Sequence, residues 1–224
     1  MRRIIFQLAL LLTFLNAAVL AQDHDISASK SFKEMNGHRA SINVKSKKLD
    51  TATFATGCFW CTEAKFQQLK GVKKVTSGFT GGHVANPSYK LVCTGTTGHA
   101  EACNIVYDPK QITYDELLAA FFTAHDPTQL NRQGNDVGTQ YRSAVFYHNA
   151  AQKEKVNYYI AKLNQEKVYK NKIVTQVAPY TVFYKAENYH QNFYNQNPNQ
   201  QYCKYVIQPE LEKFRKVFKD KLKK

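Results

Sequence analysis

A chain of 224 residues with 43% hydrophobic and 13% aromatic side chains can bury the core of one domain. Its formal net charge of +14 favours acidic partners, such as nucleic acid, anionic lipid or acidic protein. Five cysteines are too few for a disulfide-stapled scaffold, and an odd number leaves at least one thiol unpaired or exchanging partners, which points to redox chemistry.

The first residues have the pattern of a secretory signal peptide. Arg2 and Arg3 precede an apolar run over residues 4–19, and Val19 and Ala21 place small residues at the two positions that a signal peptidase reads. We expect cleavage after Ala21 and export to the periplasm or the extracellular space, an oxidising environment that argues against nucleic acid as a partner. An uncut membrane anchor is the alternative, because the apolar run is nearly long enough to cross a bilayer. After cleavage, no stable membrane insertion is expected.

Residues 22–50 are polar and lack periodicity, which predicts a flexible linker, and the catalytic domain is expected over residues 51–224. The pattern predicts strands over 51–56, 72–80, 99–108 and 141–147, extended chain over 173–184, and helices from 58, from 114, over 150–169, over 188–194 and over 209–223. Residues 126–138 are predicted to form a loop. Some strand pairs lack a crossover helix of adequate length, so we predict an α+β fold and not a parallel sheet. That fold is a single-domain, two-layer sandwich related to the ferredoxin-like fold, with a mixed sheet, packed helices and long functional loops.

Cys58 follows a predicted strand and a glycine, and it precedes the first turn of a predicted helix. The free N–H groups and the positive dipole end of a helix favour an anion, so the sequence predicts a lowered thiol pKa and a reactive thiolate. The alternative is a buried cysteine that packs as a small hydrophobic side chain. The glycine, the helix start and a second thiol at Cys61 favour the reactive interpretation.

Several loops share an unusual composition: 57–63 (GCFWCTE), 95–101 (GTTGHAE) and 134–142 (GNDVGTQYR). Together with 81–89 (GGHVANPSY), 189–191 (YHQ) and 197–203 (NPNQQYC), they resemble the A-type peptide methionine sulfoxide reductases, in matching order from about residue 51 to 218. Many members carry glycine at the position of Cys61, so the resemblance is to the Gly-Cys-Phe-Trp-Cys subgroup with an additional C-terminal cysteine. Enzymes of this family repair oxidised methionine.

Reduction of a sulfoxide needs a thiolate that attacks sulfur and an acid that protonates oxygen. Cys58 would be the nucleophile and Glu101 the acid, provided that burial beside aromatic side chains raises the pKa of Glu101. The resemblance implies the same roles, and it implies that the phenols of Tyr89 and Tyr141 hold the sulfoxide oxygen. It also implies that Asp136 helps to order the site.

Phe59 and Trp60 would form an apolar pocket for the S-methyl group, with contacts worth about 0.3–1.5 kcal/mol. Oxygen transfer would leave a sulfenic acid on Cys58, which Cys61 or Cys203 would resolve to a disulfide. The order of the two resolving cysteines stays open. A thioredoxin-like protein would be the electron donor, and no bound cofactor or metal is expected. The resemblance implies action on the S epimer of methionine sulfoxide, free or in proteins. Because export is predicted, the expected protein substrates are oxidised exported proteins, and a monomer is expected.

The other thiols and the histidines are predicted to be structural. Cys93 receives no catalytic role, Cys103 is expected to be a buried thiol within a strand, and His99 and His190 are expected to donate or accept structural hydrogen bonds. A zinc site is the alternative for Cys58, Cys61, His83 and His99, but the histidine spacing fits no common zinc finger.

Two other classes of function are possible in principle. A thioredoxin-like dithiol oxidoreductase would use Cys58 and Cys61 but would not need Glu101. A non-catalytic exported binding module would carry the two thiols as a structural disulfide. The basic C-terminal helix is predicted to pack by an amphipathic face, with membrane-surface or acidic-partner binding as the weaker alternative.

Overall fold

The structure is a computed structural model that describes residues 49–223. The predicted signal peptide over residues 1–21 and nearly all of the predicted linker over 22–50 lie outside the described residues. Within residues 49–223, none of the helices is both long enough and apolar enough to cross a membrane.

Eight strands and six α-helices make up this part of the chain. The strands are β1 (Asp50–Thr56), β2 (Val72–Thr80), β3 (Ala100–Tyr107), β4 (Arg132–Gln133), β5 (Asp136–Val137), β6 (Ser143–Tyr147), β7 (Gln176–Pro179) and β8 (Phe183–Lys185). The helices are α1 (Phe59–Phe66), α2 (Tyr89–Cys93), α3 (Tyr114–Ala124), α4 (Ala150–Gln165), α5 (Phe193–Gln196) and α6 (Gln208–Phe218). Single turns of 3-10 helix lie at Thr139–Tyr141, Asn188–His190 and Lys219–Lys221, and a π turn over Cys203–Ile207 leads directly into α6.

Six of the strands form one sheet in the order β7-β6-β1-β3-β2-β8. Every neighbouring pair is antiparallel except β6 and β7, which are parallel. The predicted mixed sheet with packed helices in a single domain is therefore confirmed. The remaining strands, β4 and β5, form a separate two-residue hairpin inside the segment that the sequence predicted to be a loop.

β1 lies in the middle of the sheet, and residues 52–56 are buried without interruption. On one face, the Phe54 ring meets Phe66 of α1 and Phe121 of α3, with centroids 5.7 and 5.1 Å apart. The other face carries small side chains, among them Ala55 and Ala144. Aromatic burial against the helices contributes apolar area that stabilises the domain.

The predicted helix starts agree with the structure more closely than the ends do. The predicted capping box of α3 is present: the Thr113 hydroxyl accepts the N–H of Glu116, and the Glu116 carboxylate accepts the N–H of Thr113. α4 ends at Gln165, before the predicted end at residue 169. Lys167 adopts a left-handed φ of 51°, which does not continue a right-handed helix. The strand predicted over residues 141–147 is β6, and it starts at Ser143 because a 3-10 turn occupies Thr139–Tyr141.

Candidate active site

Cys58 is the N-cap residue of α1, as the sequence predicted, and it is 7% exposed. Gly57 turns the chain from β1 into the helix with a φ of +95°, and a Cβ there would lie 2.6 Å from the Cβ of Gln133. The carbonyl oxygen of Cys58 accepts the N–H and the hydroxyl of Thr62 at 3.2 and 3.1 Å. These contacts fix the backbone of the thiol at the end of the strand.

Glu101 lies on β3 directly beside this helix start. Its Oε2 accepts the backbone N–H of Phe59, the residue after Cys58, at 3.0 Å, and the residue is 1% exposed. Burial raises the pKa of Glu101 to about 8, the Phe59 N–H opposes that shift, and the charge of Asp136 adds to it. The carboxyl group is therefore mostly protonated at neutral pH, as an acid catalyst requires.

The thiol of Cys58 differs from the sequence expectation. A lowered pKa was predicted, whereas burial, followed by the hydrogen bond and charge of Cys61 and the charge of Glu101, raises the pKa of Cys58 well above its ordinary value. The main physical reason is burial of the thiol, which outweighs the backbone N–H of Cys61 that favours a thiolate. The helix-start N–H of Phe59 adds no compensation, because it donates to Glu101. This environment favours the thiol form of Cys58 over the thiolate.

Two phenols stand next to this acid. The pKa of Tyr89 and that of Tyr141 are raised, first by burial and then by the charge of Glu101, and the Tyr141 shift also includes the charge of Cys58. Asp136 lies on the β4–β5 hairpin, where its Oδ2 accepts the hydroxyl of Tyr202 at 2.6 Å. The structure therefore brings together the predicted nucleophile, acid, phenols and ordering carboxylate.

The two predicted pocket residues differ in exposure. The Phe59 residue is 1% exposed, and its ring stacks on Tyr89 with centroids 6.2 Å apart. Trp60 is partly exposed, and its ring stacks almost parallel on Phe193 with centroids 3.7 Å apart. The indole N–H of Trp60 donates to Nδ1 of His190 at 3.2 Å, so the predicted structural hydrogen bond of His190 is confirmed. Only Trp60 of this pair offers an accessible wall.

Both candidate resolving cysteines pack in the same apolar cluster as Cys58. Cys61 is 6% exposed and Cys203 is fully buried at the start of the π turn, and both are free thiols. Burial, followed by the charge of Cys61, raises the pKa of Cys203. Cys103, as predicted, is buried and structural, since its thiol donates to the carbonyl oxygen of Phe59 at 3.6 Å.

Cys93 is exposed, at the C-terminal end of α2. Burial raises the pKa of its thiol, a side-chain hydrogen bond with Tyr89 opposes this rise, and the charge of Glu101 adds to it. Cys93 therefore lies at the edge of the candidate site, although the sequence assigned it no catalytic role.

The alternative zinc site is not supported by the geometry. Within residues 49–223, no group of three or more His, Cys, Asp or Glu side chains is arranged to hold a metal ion. Both ring nitrogens of His99 bond to backbone: Nδ1 accepts the N–H of Gly82 at 3.1 Å, and Nε2 lies 2.7 Å from the carbonyl oxygen of Val84. The prediction that His99 is a structural hydrogen-bonding residue is confirmed.

Sequence reasoning missed two side chains of this site. The Tyr202 hydroxyl bonds to Asp136 and lies 3.9 Å from the Cys61 sulfur, and its position directly before Cys203 in the 197–203 motif was an available signal. Phe193, which stacks on Trp60, had no such signal, because the two residues lie far apart in the sequence.

Comparisons with known proteins agree with this geometry. The sequence model of the family described as peptide methionine sulfoxide reductase matches residues 50–222. The peptide methionine sulfoxide reductase MsrA of Deinococcus radiodurans is 53% identical over 174 residues, which cover 78% of this chain and 84% of that protein. A solved structure of methionine sulfoxide reductase A of Corynebacterium diphtheriae is 38% identical with a TM-score of 0.63, over 72% of this chain and 80% of that one. Mxr1 of Saccharomyces cerevisiae in reduced form is 35% identical with a TM-score of 0.64, over 74% of this chain and 96% of that one. This chain belongs to the peptide methionine sulfoxide reductase family and is an oxidoreductase that reduces methionine sulfoxide.

Proposed function

We propose that Cys58 reduces the S epimer of methionine sulfoxide, free or in proteins, with Glu101 as the proton donor. The observation that carries this proposal is the contact between Glu101 Oε2 and the N–H of Phe59, which holds a mostly neutral carboxyl group beside the nucleophile. The phenols of Tyr89 and Tyr141, which share the neighbourhood of Glu101, would hold the sulfoxide oxygen by hydrogen bonds.

Because the pKa of Cys58 is raised, the thiol proton takes part in the first step. The sulfur of Cys58 attacks the sulfoxide sulfur while Glu101 gives its proton to the sulfoxide oxygen, and the thiol proton of Cys58 replaces the proton that Glu101 has given. The oxygen then passes to Cys58 as a sulfenic acid, and methionine leaves. The sulfoxide gains two electrons and Cys58 loses two, so no thiolate needs to exist before substrate arrives.

The two remaining thiols would close the cycle. Cys61 attacks the sulfenic sulfur of Cys58, water leaves, and a Cys58–Cys61 disulfide forms. Cys203 then attacks Cys61, which restores the thiol of Cys58 and moves the disulfide to Cys61 and Cys203. The position of Cys61 supports this order, because its charge acts on both other thiols. A thioredoxin-like protein would supply the two electrons that reduce the last disulfide.

Separated sulfoxide epimers test the assignment directly. The wild-type chain should release methionine from the S epimer, Cys58→Ser should release none, and mass spectrometry of the reduced chain after one turnover should show the loss of two hydrogen atoms. Full turnover by Glu101→Gln would remove the acid from the proposal and favour simple dithiol exchange at Cys58 and Cys61.

We further propose that the protein is exported and repairs oxidised exported proteins as a monomer. Arg2, Arg3 and the apolar run over residues 4–19 support a secretory signal. The N-terminal sequence of the protein recovered from a cell fraction tests this: a start at Gln22 is expected, and an intact N-terminus in the cytoplasm would contradict export.

A further inference from the structure

Glu63, on α1, is a second buried carboxyl group near the site, and the proposed chemistry does not use it. The residue is 4% exposed and lies five positions after Cys58. Its Oε2 accepts the backbone N–H of Asn192 at 2.8 Å and the Ser77 hydroxyl at 3.2 Å. The backbone N–H of the next residue, Phe193, lies close enough to lower the pKa of the carboxyl group. Burying a carboxylate without a cationic partner costs free energy. The contacts of Glu63 therefore point to a role for this side chain.

Those contacts hold the segment that covers Trp60. Asn192 adopts a left-handed φ of 55° directly before α5, and Phe193 is the first residue of that helix. The Phe193 ring lies nearly parallel to Trp60, with 6° between the ring planes and 3.7 Å between the centroids. The backbone position that fixes this ring is therefore the one that Glu63 binds.

The same segment is tied to the sheet at a second point. The Gln191 side chain accepts the N–H of Ser77 at 3.1 Å and donates to the carbonyl oxygen of Ser77 at 2.9 Å. His190, one residue earlier, accepts the indole N–H of Trp60. Residues 190–193 thus cover one face and the N–H edge of Trp60, and Glu63 and Gln191 anchor them to α1 and β2.

We propose that Glu63 is a positioning residue that sets the substrate-pocket wall at Trp60 by holding the backbone of Asn192 and Phe193. This inference rests on the proposed function, since it takes Trp60 as the wall for the S-methyl group. A carboxylate suits the position because it only accepts hydrogen bonds, and its neighbours are two N–H groups and a hydroxyl. An amide would present one NH₂ group to these donors.

The expected effect is on binding and not on the chemical step. The methyl group contacts the Trp60 wall in the ground state and in the transition state alike, so a displaced wall weakens both equally. Such a loss raises KM and leaves kcat nearly unchanged. Loss of the contact between the substrate methylthio group and the Trp60 ring, worth about 0.3–1.5 kcal/mol, predicts a rise in KM of about 2- to 12-fold.

The test compares Glu63→Gln with Ser77→Ala in the full-length chain. Trp60 is the only tryptophan, so its fluorescence reports the wall without contributions from other residues. Glu63→Gln should raise KM for free methionine S-sulfoxide about 2- to 12-fold, keep kcat within about 2-fold, and shift Trp60 emission to longer wavelength. Ser77→Ala, which keeps both backbone contacts of Glu63, should leave KM and the emission unchanged.

A double mutant tests whether Glu63 acts through the stacked ring. Phe193→Leu should reproduce the KM and emission changes of Glu63→Gln, and the combined variant should show little further change. Unchanged KM and emission in Glu63→Gln, or additive effects in the double mutant, would overturn the proposal. If Glu63→Gln does not fold, Glu63→Asp must show the same two changes, since its shorter side chain withdraws the carboxylate. A wild-type chain without reductase activity would refute the proposed function, while the emission of Trp60 would still test the link from Glu63.

Discussion

Two buried carboxyl groups, Glu101 on β3 and Glu63 on α1, differ in the groups that surround them. Burial raises the pKa of both. Glu101 receives one backbone N–H and reaches a pKa of about 8, whereas the contacts from Ser77, Asn192 and Phe193 oppose the rise at Glu63. Burial is the largest cause of both shifts, the charge of Asp136 adds to it at Glu101, and three donors oppose it at Glu63. These neighbours suit Glu101 to give a proton and Glu63 to hold backbone in place.

Glu101→Gln should break this comparison with the largest effect. The amide can keep the hydrogen bond from Phe59 but has no acidic proton, so kcat/KM for the S-sulfoxide should fall by about 10²- to 10⁴-fold, the usual range for general acid catalysis. The steady-state release of methionine measures the fall. Glu63→Gln is the matched control, since it makes the same substitution at the other buried carboxyl group and should keep kcat. Equal losses of kcat in the two variants would contradict the division of roles.

The pH dependence of turnover separates the two groups in the wild-type chain. The folded pKa of Glu101, about 8, lies above its ordinary value of 4.5. The neutral form is therefore favoured by folding, and its contribution to stability is full below pH 4.5 and is lost as the pH rises through 8. kcat/KM should likewise fall about tenfold per pH unit above that value. Glu101→Gln should lose this descending limb and Glu63→Gln should keep it. A limb that persists in Glu101→Gln would assign the titration to another group.

The sequence was sufficient for the parts of the site that depend on local pattern. The glycine turn, the thiol at the helix start and the capping box of α3 follow from neighbouring residues, and each is present. The predicted lowering of the Cys58 pKa was wrong, because tertiary packing buries the thiol. The charge of Glu101 adds to the rise, and Glu101 is 43 positions away in the sequence and reaches the helix only through the pairing of β3. The stacking of Phe193 on Trp60 is of the same kind, since no pattern in the chain joins the two rings.

Cys203→Ser leaves Glu101 and Glu63 intact and tests the step after the acid-catalysed one, the transfer of the disulfide. In the reduced wild-type chain without added reductant, transfer of the disulfide to Cys61 and Cys203 restores the thiol of Cys58, so a second equivalent of methionine can be released. Cys203→Ser should release only the first equivalent, at an unchanged rate. Rapid-quench measurement of methionine per chain gives the amplitude. A full second equivalent from Cys203→Ser would show that Cys203 is not the second resolving thiol.

The smallest effect is expected for Ser77→Ala, which removes one of the donors to Glu63. The Ser77 hydroxyl donates to Glu63 Oε2 at 3.2 Å and lies 3.7 Å from the Cys103 sulfur in the buried part of β2. Glu63 keeps the N–H groups of Asn192 and Phe193, so the free energy of unfolding should fall by only about 0.5–1.5 kcal/mol, the usual net value of one hydrogen bond. Urea unfolding followed by circular dichroism measures this loss. Because the backbone contacts hold Phe193, KM should not change, and a rise equal to that of Glu63→Gln would mean that the hydroxyl positions the wall at Trp60.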